Sequence, residues 1–412
     1  MKKAIFLIAI ATLACLAGCK KDENENEFAN QQLMQVMDQW YLWYDKMPDV
    51  KPENYPSPVE LLDKLIYKEL DKWSYITTKQ ELEAYYNEAE YTGYGIGMAF
   101  DSTNDLWITF IFDDSPLKQY GVERGWRIYA INDIIVSPYN INSLLSANSA
   151  TFRLINQQQE QVLVTASKQA VTMNTVLMDT VYTNEAANIG YFVLKGFVGP
   201  TIDELNVTFA KFVESNVAEV IVDLRYNGGG SIQTASHLAN LLAGSMANGK
   251  VLGTFAHNDK QEQENSSILI EQDINSLTLS RVIFITTQNS ASASELLING
   301  LEPHMEVVLV GQDTYGKPVG MYSFTHPSFD WAFVPICFRF LNANAEGDYY
   351  NGIPVDIEAS DGISYSFGDI NEPSLAAAIG YLTGRSAHKK IALPEKLSQP
   401  KQEGLRQEIG AW

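Results

Sequence analysis

The sequence is poor in cysteine, in histidine and in positive charge, and each shortage narrows what the chain can be. Its three cysteines are Cys15, Cys19 and Cys337. The first two belong to the amino-terminal leader, so Cys337 has no partner and a disulfide framework is excluded. Cys337 sits in the apolar run Val334-Pro335-Ile336-Cys337-Phe338 and is expected to fill core space. Five histidines (His237, His257, His304, His326 and His388) are scattered, and none has the spacing of a triad or a metal site. No metal and no cofactor is expected. Lys and Arg total 29 against 50 Asp and Glu, a net charge of −21. Nucleic acid binding depends on cationic neutralisation of phosphates, so nucleic acid is excluded as a partner. Beyond the leader there is no long uncharged apolar run, and the remainder is expected to be soluble.

The leader itself reads as an address. Lys2-Lys3 is followed by an apolar stretch from Ala4 to Leu16, too short to span a bilayer, and then by Leu16-Ala17-Gly18-Cys19. This end resembles the bacterial lipobox, which implies cleavage before Cys19, lipidation of Cys19 and attachment to a membrane of the cell envelope. Residues 1–18 are thus expected to be a signal peptide and 19–30 a flexible tether, rich in Asp, Glu and Asn. An acidic tether after a lipidated cysteine resembles the export signals of Bacteroidetes surface lipoproteins.

A hydrophobic content of 46% and an aromatic content of 11% support real cores, and the length implies two or three domains. The fold class expected is α/β multidomain. Residues 31–90 read as a helical segment, with Leu33, Val36, Met37, Trp40, Tyr41 and Trp43-Tyr44 at helical spacing. Ser57-Pro58-Val59-Glu60 opens a second helix and Lys79 to Glu90 is a third. Residues 91–170 change to strand-like runs at 106–111, 127–132 and 162–166. Residues 171–390 alternate strands (189–193, 217–224, 281–287, 307–310) with helices (202–215, 234–242, 293–301), which means an α/β layered core. Residues 391–412, part of a polar stretch from Lys389 on with Pro394 and Pro400, read as a loosely held tail.

Three segments of the core carry chemistry. Asp223-Leu224-Arg225-Tyr226-Asn227-Gly228-Gly229-Gly230 runs an apolar strand into three glycines, which let backbone N–H groups approach a ligand. A phosphate loop would need a Gly-Lys-Ser/Thr ending, which is missing. Ser290-Ala291-Ser292-Ala293-Ser294-Glu295 places a serine at a helix start, beside unpaired N–H groups suited to an oxyanion. Ser292-x-x-Glu295 is equally a capping box. Thr314-Tyr315-Gly316-Lys317-Pro318-Val319-Gly320 puts a lysine among small and rigid residues. A lysine held out of water sheds its charge more readily and can accept a hydroxyl proton. A lone lysine is ordinarily a solvated surface charge, so it is the combination that counts.

Together these motifs resemble the C-terminal processing (tail-specific) serine peptidases. In that family the strand-end motif reads D-L-R-x-N-x-G-G, the nucleophile is the first serine of S-A-S-E and the base is the lysine of a later G-K. Gly352-Ile353-Pro354-Val355-Asp356 also looks like a family segment. The resemblance implies a crotonase-like α/β peptidase core, Ser292 as nucleophile and Lys317 as general base. It also implies an oxyanion hole from the backbone N–H groups of Gly229 and Ala293. The segment Ser115-Pro116-Leu117 to Gly125-Trp126 resembles a PDZ domain of the bacterial protease type, with Trp126 where Asp is usual. Gly95-Ile96-Gly97-Met98 looks like its carboxylate-binding loop. Such a domain implies polypeptide partners with unstructured C-termini. One departure stands out: Met321 occupies the place, four residues after the lysine, where the family carries Gln or Glu to orient the amine. Glu295 is a candidate substitute. Loss of catalysis, leaving a binder of peptide tails or of an apolar ligand, is the alternative, and a scaffold using its PDZ surface alone is a third.

Overall fold

The computed structural model describes residues 25–183, 187–384 and 397–412. The leader and Cys19 lie outside the described residues. The chain forms two compact units. One comprises the residues up to Leu82 with Phe255–Asn265 and Val319–Arg339, and the other comprises Glu83–Thr254, Ser266–Pro318 and Phe340–Trp412.

In the first unit a helix covers residues 25–40. It begins within the stretch expected to be tether, because Ala29 and Asn30 are fully buried and Asn30 Nδ2 donates to the carbonyls of Pro52 (3.2 Å) and Tyr55 (2.7 Å). Leu33, Met37 and Tyr41 bury its apolar face, while Trp40 and Trp43 are only half-buried. The second helix is Pro58–Leu65, with Ser57 as N-cap and proline at its start, as its sequence anticipates. The region is not helical throughout. Tyr75–Thr78 is a strand that pairs antiparallel with Trp331–Val334, a long-range partner invisible to local periodicity. Cys337 is buried and unpaired, and burial pushes its thiol up to about 12.

The second unit contains an antiparallel sheet and an α/β core. The antiparallel sheet runs Ile96–Phe100, Leu106–Ile111, Arg127–Ile131, Ser149–Ile155 and Gln161–Ser167 in spatial order, which leaves Ile96–Phe100 at an edge. Alternate residues such as Ile128, Phe152, Leu154 and Val164 close over Ile141 and Leu145.

The core sheet follows the order Val176–Tyr182, Asn188–Leu194, Val217–Asp223, Arg281–Thr286, Glu306–Gly311 and Ile357–Glu358. All its neighbours are parallel except the first pair. Its central strands carry apolar runs, Val220–Val222 and Val282–Ile285 among them, because both faces are covered there. Val220, Val222, Val282 and Phe284 face the helices Thr201–Glu214, Ile232–Ala247 and Ala293–Leu301. Ile221, Ile283, Ile285, Val308 and Val310 face Leu375, Ala377 and Ala378 of the helix Pro373–Leu382. On the first face Phe192, Phe209 and Phe212 lie within 5.6 to 6.2 Å of one another. Each fully buried ring contributes about 1.5–3 kcal/mol. Val213, the next residue along the helix after Phe212, is 42% exposed.

The tail expectation does not hold for its described part. Within 397–412 a short helix forms at Leu405–Ile409, and Leu405, Ile409 and Ala411 are buried. Three apolar side chains and main-chain partners elsewhere hold a segment whose composition alone suggests looseness.

Candidate active site

The parallel sheet decides where the three motifs go. Val217–Asp223, Arg281–Thr286 and Glu306–Gly311 are adjacent and parallel, with Asp223 opposite Ile285 and Thr286 opposite Gly311. The glycine loop, the serine loop and the lysine loop each follow the carboxyl end of one of these strands, so they open on one edge of the sheet. That edge is where open α/β sheets build their sites.

Main-chain bonds stitch the loops together. Leu224 N–H donates to Ile285 O (2.8 Å), Ala291 N–H to Asn227 O (3.0 Å) and Tyr315 N–H to Ser290 O (3.0 Å). Of the serines in the run, Ser290 and Ser294 are fully buried and spend their hydroxyls on the carbonyls of Leu224 (2.8 Å) and Asn227 (3.0 Å). Ser292 is the half-exposed one. It caps the helix Ala293–Leu301 with φ 57° and ψ −113°. A side chain at positive φ is strained by about 1–3 kcal/mol, and such strain gathers at functional sites.

Glu295 ties the serine and lysine loops into one body. Its carboxylate is fully buried and accepts four hydrogen bonds. Oε2 takes the main-chain N–H groups of Ser292 (2.9 Å) and Lys317 (2.8 Å). Oε1 takes the Thr314 hydroxyl (2.5 Å) and the Gly316 N–H (2.6 Å). Thr314 Oγ1 in turn accepts from Ile353 N–H at 2.7 Å. Burial pushes the Glu295 carboxyl up from its usual range, against the pull of the four donors. Glu295 therefore acts on the main chain of both motifs at once. The capping-box spacing made it visible in the sequence; the role of Thr314 left no signal there.

Lys317 is 6% exposed, with Nζ 3.7 Å from Glu408 Oε1. Gly229, Ser292 and Ala293 come together. A Cβ on Gly229, which has φ +111°, would stand 2.8 Å from Ser292 Cβ and 3.2 Å from Ala293 N. The Gly229 N–H donates to Asn227 Oδ1 (2.9 Å) in this conformation. Met321 belongs to the short strand Val319–Met321, opposite Ile336. Gly95, at φ +72°, passes Ser115 so closely that a Cβ would be 2.7 Å from Ser115 Cα, and Gly97 lies under the Phe110 ring. Ile96 and Met98 are buried on the edge strand.

Behind the glycine loop lies a buried ion cluster that motif reading missed. Arg225 binds Asp223 (2.8 Å), Asp361 (2.9 Å) and Glu372 (2.9 Å), and Arg124 reaches Asp361 at 2.7 Å. Burial pushes the Asp361 carboxyl up, but Arg124 and Arg225 more than offset this and hold it down at about 2. Tyr226 bonds Arg124 (2.6 Å) and Asp361, joining the cluster to the loop that carries Gly229. Among the described residues, no group of three or more His, Cys, Asp or Glu side chains could hold a metal ion.

The family model "Peptidase family S41" matches residues 188–359, which hold all three loops, and "Peptidase S41 N-terminal domain" matches residues 29–75. The chain belongs to peptidase family S41. Among S41 relatives it is 26% identical over 238 residues to the chloroplastic carboxyl-terminal-processing peptidase 1 of Arabidopsis thaliana, covering 54% of this chain and 47% of that one. It is 23% identical over 322 residues to the carboxyl-terminal-processing protease of Synechocystis, covering 73% and 71%. The chain spans about half the length of the first of these curated relatives. Its fold is similar to the crystal structure of a Bacteroides fragilis protein described as an S41 protease, with a TM-score of 0.72, 24% identity and coverage of 86% and 97%. It is also similar to the photosystem II D1 C-terminal processing protease, with a TM-score of 0.51, 19% identity and coverage of 81% and 92%.

Proposed function

We propose that the chain is a serine endopeptidase in which Ser292 is the nucleophile and Lys317 the general base. Ser292 Oγ attacks a peptide carbonyl while Lys317 Nζ takes its proton, then returns it to the leaving amine. Water, deprotonated by the same amine, releases the acyl group. The N–H groups of Ala293 and Gly229 receive the oxyanion once Gly229 is released from Asn227. The single observation that carries this reading is Glu295 Oε2, which accepts the main-chain N–H of Ser292 and of Lys317 together. The names of the S41 relatives supply the substrate class, polypeptides. The α/β unit is read as crotonase-like and the antiparallel sheet as PDZ-like, taking unstructured C-terminal tails at Gly95-Ile96-Gly97-Met98. Lipid on Cys19 would hold the enzyme at the cell envelope.

The alternative, a catalytically weak or inactive binder of peptide tails or an apolar ligand, draws on Met321 and on the engaged Gly229 N–H. Cleavage of a disordered reporter peptide separates the two. Peptidase activity requires that Ser292→Ala and Lys317→Ala each abolish turnover, and undiminished cleavage by Ser292→Ala refutes the assignment. An inert parent chain, unlabelled by a fluorophosphonate at alkaline pH, selects the binder.

A further inference from the structure

Residues 398–412 lie along the same edge strand to which the PDZ-like reading assigns peptide tails. Trp412 N–H donates to Ile96 O (2.8 Å), and Trp412 O accepts from Tyr94 N–H (2.6 Å) and Ile96 N–H (3.4 Å). At the other end of the strand Ser398 and Phe100 exchange two main-chain bonds of 2.8 Å. This is strand addition to an open sheet edge. The Trp412 ring packs on the core of the antiparallel sheet, and Ala411 is fully buried, which leaves space for little more than a methyl group.

Between these anchors the helix Leu405–Ile409 lies over the candidate active site. Gln407 Nε2 donates to Tyr315 OH (3.2 Å), and a Cβ on Gly228 would stand 3.2 Å from Glu408 O. Glu408 offers one carboxylate oxygen to the Tyr86 hydroxyl (2.6 Å) and the other to Lys317 Nζ (3.7 Å). The tail thus touches the glycine loop, the lysine loop and the lysine itself, in a conformation where the Gly229 N–H is spent on Asn227.

We propose that residues 398–412 are a ligand in cis that fills the edge-strand groove and covers the site at Gly228, Tyr315 and Lys317. Peptides placing a small residue and then an aromatic one where Ala411 and Trp412 sit displace it. This rests on the PDZ-like reading of the groove. A tethered ligand acts at an effective concentration of about millimolar, so a competing peptide binds the intact chain far more weakly than it binds an emptied groove.

The test uses Ser292→Ala protein, which needs no chemistry, and a fluorescein-labelled peptide of residues 401–412. Ala411→Arg in the protein expels the tail and leaves the groove intact. The labelled peptide is expected to bind that variant at least about tenfold more tightly than the parent. A peptide with Arg in place of its Ala411 should not bind. Hydrogen exchange guards against misfolding: the Ile96 and Phe100 amides should exchange faster in Ala411→Arg and slow again when peptide is added. Equal affinity for parent and variant, or no binding to either, overturns the proposal. Tighter binding to the variant, with no cleavage by the chain carrying Ser292, would sink the peptidase reading and leave this one standing.

Discussion

Replacing Glu295 by Gln keeps the size of the side chain and removes one acceptor oxygen from a site where four donors converge. The amide oxygen can keep Ser292 and Lys317 N–H, the pair now on Oε2. The NH2 must then face Thr314 Oγ1 and Gly316 N–H. Thr314 can rotate to accept, but an N–H cannot, so at least one buried donor is stranded. An unpaired buried group costs about 1–3 kcal/mol, and the surviving bonds lose their charge assistance. Relief of the buried charge, which already pushes this carboxyl up, returns part of that. The expected net loss is about 2–4 kcal/mol. Urea unfolding of the full chain at pH 7 should show a lower midpoint with an unchanged slope. Reporter cleavage should show a fall in kcat with KM nearly unchanged, because Glu295 acts on the placement of Ser292 and Lys317. A midpoint and a kcat equal to those of the parent would refute the argument that one carboxylate holds both loops.

Lys195 is 3% exposed, and burial pulls its amine down to about 8 from 10.5. Between these values the unfolded chain binds a proton that the folded chain lacks, so stability rises with pH from about 8 to 10.5. Below 8 both states are charged and the fold carries a constant penalty of about 3 kcal/mol. Lys195→Met should therefore raise stability at pH 7 and flatten that rise relative to the parent; parallel pH curves would contradict the sheltered amine. Arg124→Met removes the 2.7 Å partner of Asp361 and should cost about 3–5 kcal/mol, read as a drop in the thermal midpoint. An unchanged midpoint would show that Arg225 and Tyr226 satisfy Asp361 alone.

The elements with a strong local signature were legible. The helix Ala293–Leu301 and the strand Leu106–Ile111 fall on the residues their patterns indicated, and Ser57-Pro58 marked a true helix start. The strands Tyr75–Thr78 and Val176–Tyr182 were not anticipated, because a strand has little identity apart from its partners, which here lie at Trp331–Val334 and Asn188–Leu194. The candidate site residues announced themselves through spacing: three glycines after a strand, a serine three before a glutamate, a lysine after a glycine. Thr314, Arg124 and Glu408 did not announce their partners, since each acts on a group between 19 and 237 residues away.

Residue order alone thus marked the three candidate segments and that their loops follow buried strands, because hydrophobic pattern and turn residues are written locally. Tertiary structure decided that three strand ends share one edge, that a single carboxylate locks two loops, and that a polar tail is bound. Those outcomes depend on parallel pairing and buried hydrogen bonds between distant segments, whose energy exists only once the chain has closed.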